Sequence, residues 1–206
     1  MVADDFVFPL LLNLTGKLVV VVGGGAVGMR KLTALRKAGA VVRVIDPQPQ
    51  LAVPPEVIHI AEPYRAEHLD GAALAFACAT PEVNAQVVVD CRSRGVWVNS
   101  ATAPTEGDLT LPAVVRRGEL VLTVSTGGAS PALARRIREK WETEFDALFA
   151  EWVGILAEVR TEVLAAIADE ARRRELLDSF ADWHWLLRLR TEGANAVLAA
   201  MREAIQ

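Results

Sequence analysis

Along the first half of the chain, apolar residues fall in short unbroken runs separated by stretches with helical spacing. The runs predict strands at Leu18–Val22, Val41–Ile45, Leu74–Ala79 and Trp97–Asn99, and a weaker one at Val57–Ala61. Between them the spacing predicts helices at about Gly28–Ala38 and Pro81–Arg94, and a short one at Ala66–Leu69. Valine-rich runs that do not alternate with polar residues are buried on both faces, the pattern of a parallel sheet covered by helices. Right-handed crossovers then bring the turn after the first strand to the carboxyl edge of the sheet, where ligands bind in such folds.

The pattern changes after residue 100. Ala101–Leu111 is polar and irregular, Ala113–Val115 is a short apolar run, and Leu120–Val124 alternates, so residues 113–124 are expected to form a hairpin about Arg116-Arg117-Gly118-Glu119. A polar glycine loop follows, Ser125-Thr126-Gly127-Gly128-Ala129-Ser130-Pro131. Ser130 as N-cap with Pro131 in the first helical position is a strong helix start. From there helices are expected at roughly Ala132–Asp146, Phe149–Ala168, Ala171–Trp185 and Ala194–Ile205. Phe145, Leu148, Trp152, Ile155, Val159 and Val163 recur at helical spacing and read as a core stripe.

Composition narrows the function classes. A formal net charge of −4 over 206 residues lacks the basic excess of a nucleic-acid binder. The apolar stretch Phe6–Leu12 is too short to span a bilayer, and Asp4 and Asp5 before it are wrong for a signal peptide. A soluble, cytoplasmic protein is expected, without membrane contact. Cys78 and Cys91 form no C-x-x-C pair and read as small buried hydrophobes, not as a disulfide or a zinc site. His59, His68 and His184 are scattered, so no metal site is expected.

The first strand breaks into Gly23-Gly24-Gly25-Ala26-Val27-Gly28, a G-x-G-x-x-G at a strand-to-helix turn. In that setting Gly23 permits the sharp turn, Gly25 lets a pyrophosphate reach the backbone, and Gly28 lets helix and strand pack closely. The pyrophosphate would lie on the unpaired N–H groups of Ala26, Val27 and their neighbours at the positive end of the helix. Asp46 ends the second strand 18 residues beyond Gly28 and is followed by Pro47. That is where a carboxylate accepts both hydroxyls of an adenosine ribose, and its charge would repel a 2′-phosphate. The expected cofactor is therefore NAD and not NADP; the alternative is that Asp46 only opens the turn with Pro47.

With the second glycine loop in place, the whole chain resembles the precorrin-2 dehydrogenase / sirohydrochlorin ferrochelatase family, also found as the N-terminal part of sirohaem synthase. The matching pieces begin with Phe8-Pro9-Leu10, Leu14, the first glycine loop with Arg30-Lys31, and Ala77-Cys78-Ala79-Thr80 followed by Asn84. Val98-Asn99, Pro104, Asp108, Leu111-Pro112-Ala113 and Ser125 through Ala134 complete them. The resemblance implies a Rossmann domain (1–112), a small dimerisation region exchanged between two subunits (113–144), and a helical C-terminal domain (145–206). It also implies hydride removal from precorrin-2, a partly reduced tetrapyrrole with eight carboxylates, onto NAD⁺ to give sirohydrochlorin. Some members insert Fe²⁺ as well. A homodimer is further expected because residues 113–144 alone could hardly bury the apolar sides of a hairpin and a helix.

Such a substrate needs backbone donors and positive charge. Ser125, Thr126, Gly127, Gly128 and Ser130 would supply N–H groups and hydroxyls at a helix N-terminus, with Arg135, Arg136 and Arg138 one to two turns inside. Thr80 and Asn99 close strands at the carboxyl edge and could flank the nicotinamide and the substrate; ordinary strand termination is the alternative. The chain departs from the family pattern where an aspartate acid/base group is expected: that position is Thr102, which has no useful pKa near neutrality. Asp108 could reach the site instead, positioning alone could drive dehydrogenation, or chelation has been lost. A chelatase that uses NAD only secondarily, or a non-catalytic NAD-sensing domain, would be the competing functions.

Overall fold

From Val19 to Val22 every side chain of β1 (Leu18–Val22) is out of solvent, although successive residues point to opposite faces. This double burial needs a helix layer on each side of the sheet. In the computed structural model, which describes residues 8–206, those layers are present. The apolar stretch Phe6–Leu12 therefore lies partly outside the described residues. Contacts divide the chain into two compact units meeting between Thr110 and Leu111.

The first unit is a sheet of β1, β2 (Val41–Ile45), β3 (Ile58–Ile60), β4 (Leu74–Ala77) and β5 (Trp97–Ser100). All neighbours are parallel and the order is β3-β2-β1-β4-β5. Helix α1 (Ala26–Lys37) packs Leu32 and Leu35 on Val19, Val21, Val42, Val44 and Phe76. Helix α2 (Pro81–Arg94) packs Val87, Val88 and Cys91 on Val20, Val22, Ala75, Ala77 and Val98 on the other face. The chain reverses direction across the sheet between β1 and β4, and this switch point opens a crevice at the carboxyl edge. The expected Rossmann-type α/β fold is what the chain forms.

β1 and β2 have the expected ends. The predicted Leu74–Ala79 strand stops at Ala77, because Cys78 and Ala79 turn away beside Gly23. The predicted Val57–Ala61 strand is reduced to Ile58–Ile60, and β5 gains Ser100. Helix α1 starts at Ala26, two residues before its expected start. Gly95 ends α2 in the left-handed region, as its place after the helix suggests.

In the second unit β6 (Ala113–Arg117) and β7 (Leu120–Val124) form an antiparallel hairpin, followed by α3 (Pro131–Glu144). Arg117 caps the far end of α3, its Nε donating to Phe145 O at 2.6 Å and its guanidinium to Glu142 O at 2.8 Å. Helices α4 (Leu148–Ala166), α5 (Glu170–Phe180), α6 (Trp183–Glu192) and α7 (Ala194–Ile205) enclose one core. That core contains the expected stripe residues Trp152, Ile155, Val159 and Val163, with Phe180, Leu189, Val197 and Met201. The single helix expected over Ala171–Trp185 is instead two. Asp182 interrupts it by accepting the His184 N–H at 2.9 Å and starting α6, which continues past the expected end at Trp185 to Glu192.

Phe180 is 1 % exposed and stands edge-on to Trp185, with ring centroids 5.9 Å apart. Phe180→Ala is expected to destabilise the second unit by about 3–5 kcal/mol. Urea unfolding followed by tryptophan fluorescence checks this; a midpoint unchanged from the parent protein would refute it.

Candidate functional site

The glycine turn is fixed by contacts that leave no room for side chains. A Cβ on Gly23, whose φ is +99°, would lie 2.5 Å from Cys78 O, and one on Gly28 would overlap Gly23 O. Gly25 is different: nothing lies within 4 Å of where its Cβ would be. Gly25 and Ala26 are exposed, Val27 is half-buried, and Gly25 serves as N-cap of α1 without any side-chain cap. The first amides of α1 thus open on an unfilled space at the positive end of a 12-residue helix. This is a cradle for a pyrophosphate.

Asp46 stands beside that turn. Its Oδ2 accepts the Gly24 N–H at 2.6 Å and its Oδ1 accepts the Gln48 N–H at 2.9 Å. The carboxylate therefore ties the glycine loop to the end of β2 while each oxygen keeps a further lone pair for an incoming hydroxyl. Pro47 is exposed beside it. Asp46 and the open helix terminus together fit the ribose and pyrophosphate of a dinucleotide.

On the other side of the turn lie the exits of β4 and β5. Thr80 is exposed and caps α2, its hydroxyl accepting the Val83 N–H at 3.5 Å. Asn84, 1 % exposed, holds this exit: Oδ1 accepts the Ala79 N–H at 2.9 Å and Nδ2 donates to Ala79 O at 3.2 Å. Nδ2 also donates to the Thr102 hydroxyl at 3.0 Å, so one side chain joins both exits. On sequence grounds Asn84 entered only as part of the family resemblance, with no role assigned. The available signal was a polar residue on the apolar stripe of α2, in line with Val87, Val88 and Cys91.

Asn99 is buried and donates to Leu109 O at 2.9 Å. Asp108 accepts the Val98 N–H at 3.0 Å and donates its own N–H to Val98 O at 2.8 Å. It thereby completes the outer edge of β5. Gly107 lets this segment approach, since a Cβ there would lie 2.8 Å from Val98 O. Asp108 is thus held alongside the strand and Thr102 lies beyond its end, both exposed.

Lys31 is half-buried on α1, its ammonium 5.7 Å from the centre of the Phe76 ring. Burial lowers its pKa below the ordinary lysine value; neighbouring Cys78 opposes that shift and Arg30 adds to it. Burial likewise pushes the Cys78 thiol up, so it is not an activated nucleophile. Among the described residues no group of three or more His, Cys, Asp or Glu side chains could hold a metal ion.

In the second unit the loop Ser125–Ser130 uses its hydroxyls as acceptors. Ser125 Oγ accepts from Gly127 N at 3.2 Å, Thr126 Oγ1 from Ser130 N at 3.0 Å, and Ser130 Oγ from Leu133 N at 3.2 Å. Gly127 and Gly128 both have positive φ and open space before them. Arg135 and Arg138 pair with Glu139 and Glu142, and Arg136 is exposed.

Sheet order, glycine turn and terminal carboxylate define a Rossmann fold of the dinucleotide-binding class. The family model described as "Putative NAD(P)-binding" matches residues 10–113, and the one described as "Sirohaem biosynthesis protein central" matches residues 117–142. The chain belongs to this NAD(P)-binding family. The siroheme synthase of Pseudomonas fluorescens (strain SBW25) is 39% identical over 173 residues, 81% of this chain and 37% of that protein. That of Azotobacter vinelandii (strain DJ / ATCC BAA-1303) is 37% identical over 172 residues, with the same coverage. The chain thus spans 37% of the length of these curated relatives. A solved structure named "SirC, precorrin-2 dehydrogenase" superposes with a TM-score of 0.79 at 26% identity, covering 96% of this chain and all of that one.

Because Gly28 abuts the Gly23 carbonyl, Gly28→Ala is expected to force the glycine turn apart. The expected cost is about 1–3 kcal/mol of stability, with loss of dinucleotide binding. Thermal unfolding and a binding titration check this; unchanged binding would show that the turn does not depend on the contact.

Proposed function

We propose that this chain oxidises precorrin-2 to sirohydrochlorin, passing hydride to NAD⁺ and releasing a proton. The observation that carries the reading is the pairing of an open, uncapped helix terminus at Gly25 with the carboxylate of Asp46, in a chain that superposes along its length on a precorrin-2 dehydrogenase. When bound, NAD⁺ supplies the hydride acceptor.

The residues divide the work as follows. Backbone amides from Gly23 to Gly28 hold the pyrophosphate, and Asp46 accepts the ribose hydroxyls. A phosphate on the 2′-oxygen would meet that carboxylate, which favours NAD over NADP. Pro47 borders the adenosine side, and Thr80 borders the nicotinamide. Asn99 fixes the loop after β5. Arg30 and Lys31 provide positive charge for a polycarboxylate. Ser125, Thr126, Gly127, Gly128 and Ser130 offer donors to substrate carboxylates, within a region (113–144) that serves dimerisation. The working form is a soluble cytoplasmic homodimer. Thr102 supplies no carboxylate to take up pyrrole protons, so efficient metal insertion is not part of the proposed activity. Orientation of substrate against cofactor carries the oxidation, an effect worth up to about 7–11 kcal/mol.

Purified protein mixed with precorrin-2 and NAD⁺, without added metal, is expected to generate NADH absorbance and sirohydrochlorin colour together. Tight NAD⁺ binding without reduction would favour a sensor domain. Asp46→Ala is expected to raise the NAD⁺ Kd about 10- to 100-fold, the loss of charge-assisted hydrogen bonds worth about 1.5–3 kcal/mol. An unchanged Kd in a calorimetric titration would remove Asp46 from the site.

A further inference from the structure

We propose that Asn84 is a positioning residue that fixes the Thr102 hydroxyl as a hydrogen-bond donor to a carboxylate of the bound substrate. The inference rests on the dehydrogenase reading above and assigns the polarity of one contact within it.

The orientation of the Asn84 amide is not ambiguous. A backbone N–H can only donate, so the atom 2.9 Å from Ala79 N must be the carbonyl oxygen of the side chain. The amide nitrogen then faces Ala79 O at 3.2 Å and Thr102 Oγ1 at 3.0 Å, and its two hydrogens are both used. Toward Asn84 the Thr102 hydroxyl can therefore only accept. Its own hydrogen is left over, and among the described residues it is given to no acceptor. Thr102 is exposed, so that hydrogen is available to a ligand.

Position gives the ligand's identity. A dinucleotide crossing the switch point has its adenosine end toward β2, where Asp46 stands, and its nicotinamide end toward β4 and β5. Thr102 follows the end of β5 and is joined through Asn84 to the β4 exit at Ala79, the end of the crevice assigned above to the nicotinamide and its substrate. A free hydroxyl hydrogen there pairs with an acceptor oxygen, and the proposed substrate carries carboxylates. Asn84 does not touch the substrate. Its buried amide, anchored at both Ala79 backbone atoms, holds the threonine in the donor state.

The test compares Thr102→Val, Thr102→Ser, Asn84→Asp and the double variant Asn84→Asp/Thr102→Val by steady-state kinetics with precorrin-2 and NAD⁺. Thr102→Val is expected to raise KM for the tetrapyrrole about tenfold, as loss of one hydrogen bond to a charged group does. Its kcat should stay within about threefold and its NAD⁺ Kd within about twofold of the parent. Thr102→Ser, which keeps the hydroxyl, should remain within about threefold in KM. Asn84→Asp keeps the acceptor oxygen and loses both donors, so it should raise KM in the Thr102 background and have no further effect in the Thr102→Val background. Parent-like KM in Thr102→Val overturns the proposal. So does a shift in NAD⁺ Kd in place of KM, or an equal effect of Asn84→Asp in both backgrounds. Because the Thr102 side chain is exposed, its variants carry the test even if Asn84→Asp fails to fold. An unsubstituted protein that never reduces NAD⁺ overturns the reaction itself, a result distinguishable from all of these.

Discussion

The first unit depends on two places where backbone touches backbone. Gly28 lies against the Gly23 carbonyl, which sets how closely α1 approaches β1, and Gly23 lies against Cys78, which sets how closely the β1 exit approaches the β4 exit. A side chain at either position would push these elements apart, and the crevice at the carboxyl edge is the space they bound. The same packing that leaves nothing before Gly23 and Gly28 leaves Gly25 facing open space. Tightness on two sides and openness on the third come from one turn.

Two polar side chains then hold the loops around that turn. Asp46 reaches across 22 residues to Gly24, and Asn84 spans the 18 residues to Thr102. Loops at strand ends are ordinarily the mobile parts of such a fold. Here each exit is tied by a buried or half-buried polar group whose hydrogen bonds are made before any ligand arrives. A site with its loops already set loses less entropy on binding. That fits the proposed oxidation, in which orientation of substrate against cofactor is taken to contribute most.

How much of this could be read from residues alone depended on whether the deciding interaction was local. β1 and β2 were recoverable to the residue because short valine-rich runs bounded by glycine and by Asp46-Pro47 mark them. Gly95 and Ser130 were recoverable because caps are local chemistry. The division at Asp182 was missed: apolar spacing runs on through it, and only the Asp182-to-His184 hydrogen bond shows that a new helix starts there. Thr102 was flagged by its departure from a family pattern, but its partner could not be, because Asn84 lies 18 residues away on another element. Asp108 illustrates the reverse. Its chemistry suggested a base, and what the sequence could not show is that its carboxylate also accepts the Val98 N–H along the open edge of β5.

One regularity links residues that share no element. The hydroxyls of Thr102, Ser125, Thr126 and Ser130 each accept a hydrogen bond from an amide N–H of the protein. A hydroxyl has a single hydrogen, so acceptance from the protein releases that hydrogen for something else. In each case the donor is fixed by a backbone or a saturated side-chain amide and cannot be exchanged for an acceptor. These positions are therefore biased toward anionic or carbonyl oxygen and against ligands that donate. For a substrate rimmed with carboxylates, such a bias recognises the charge without an ion pair at every position. On the proposed function, local donors and a few cations, not the field of a net negative chain, would do the recognition.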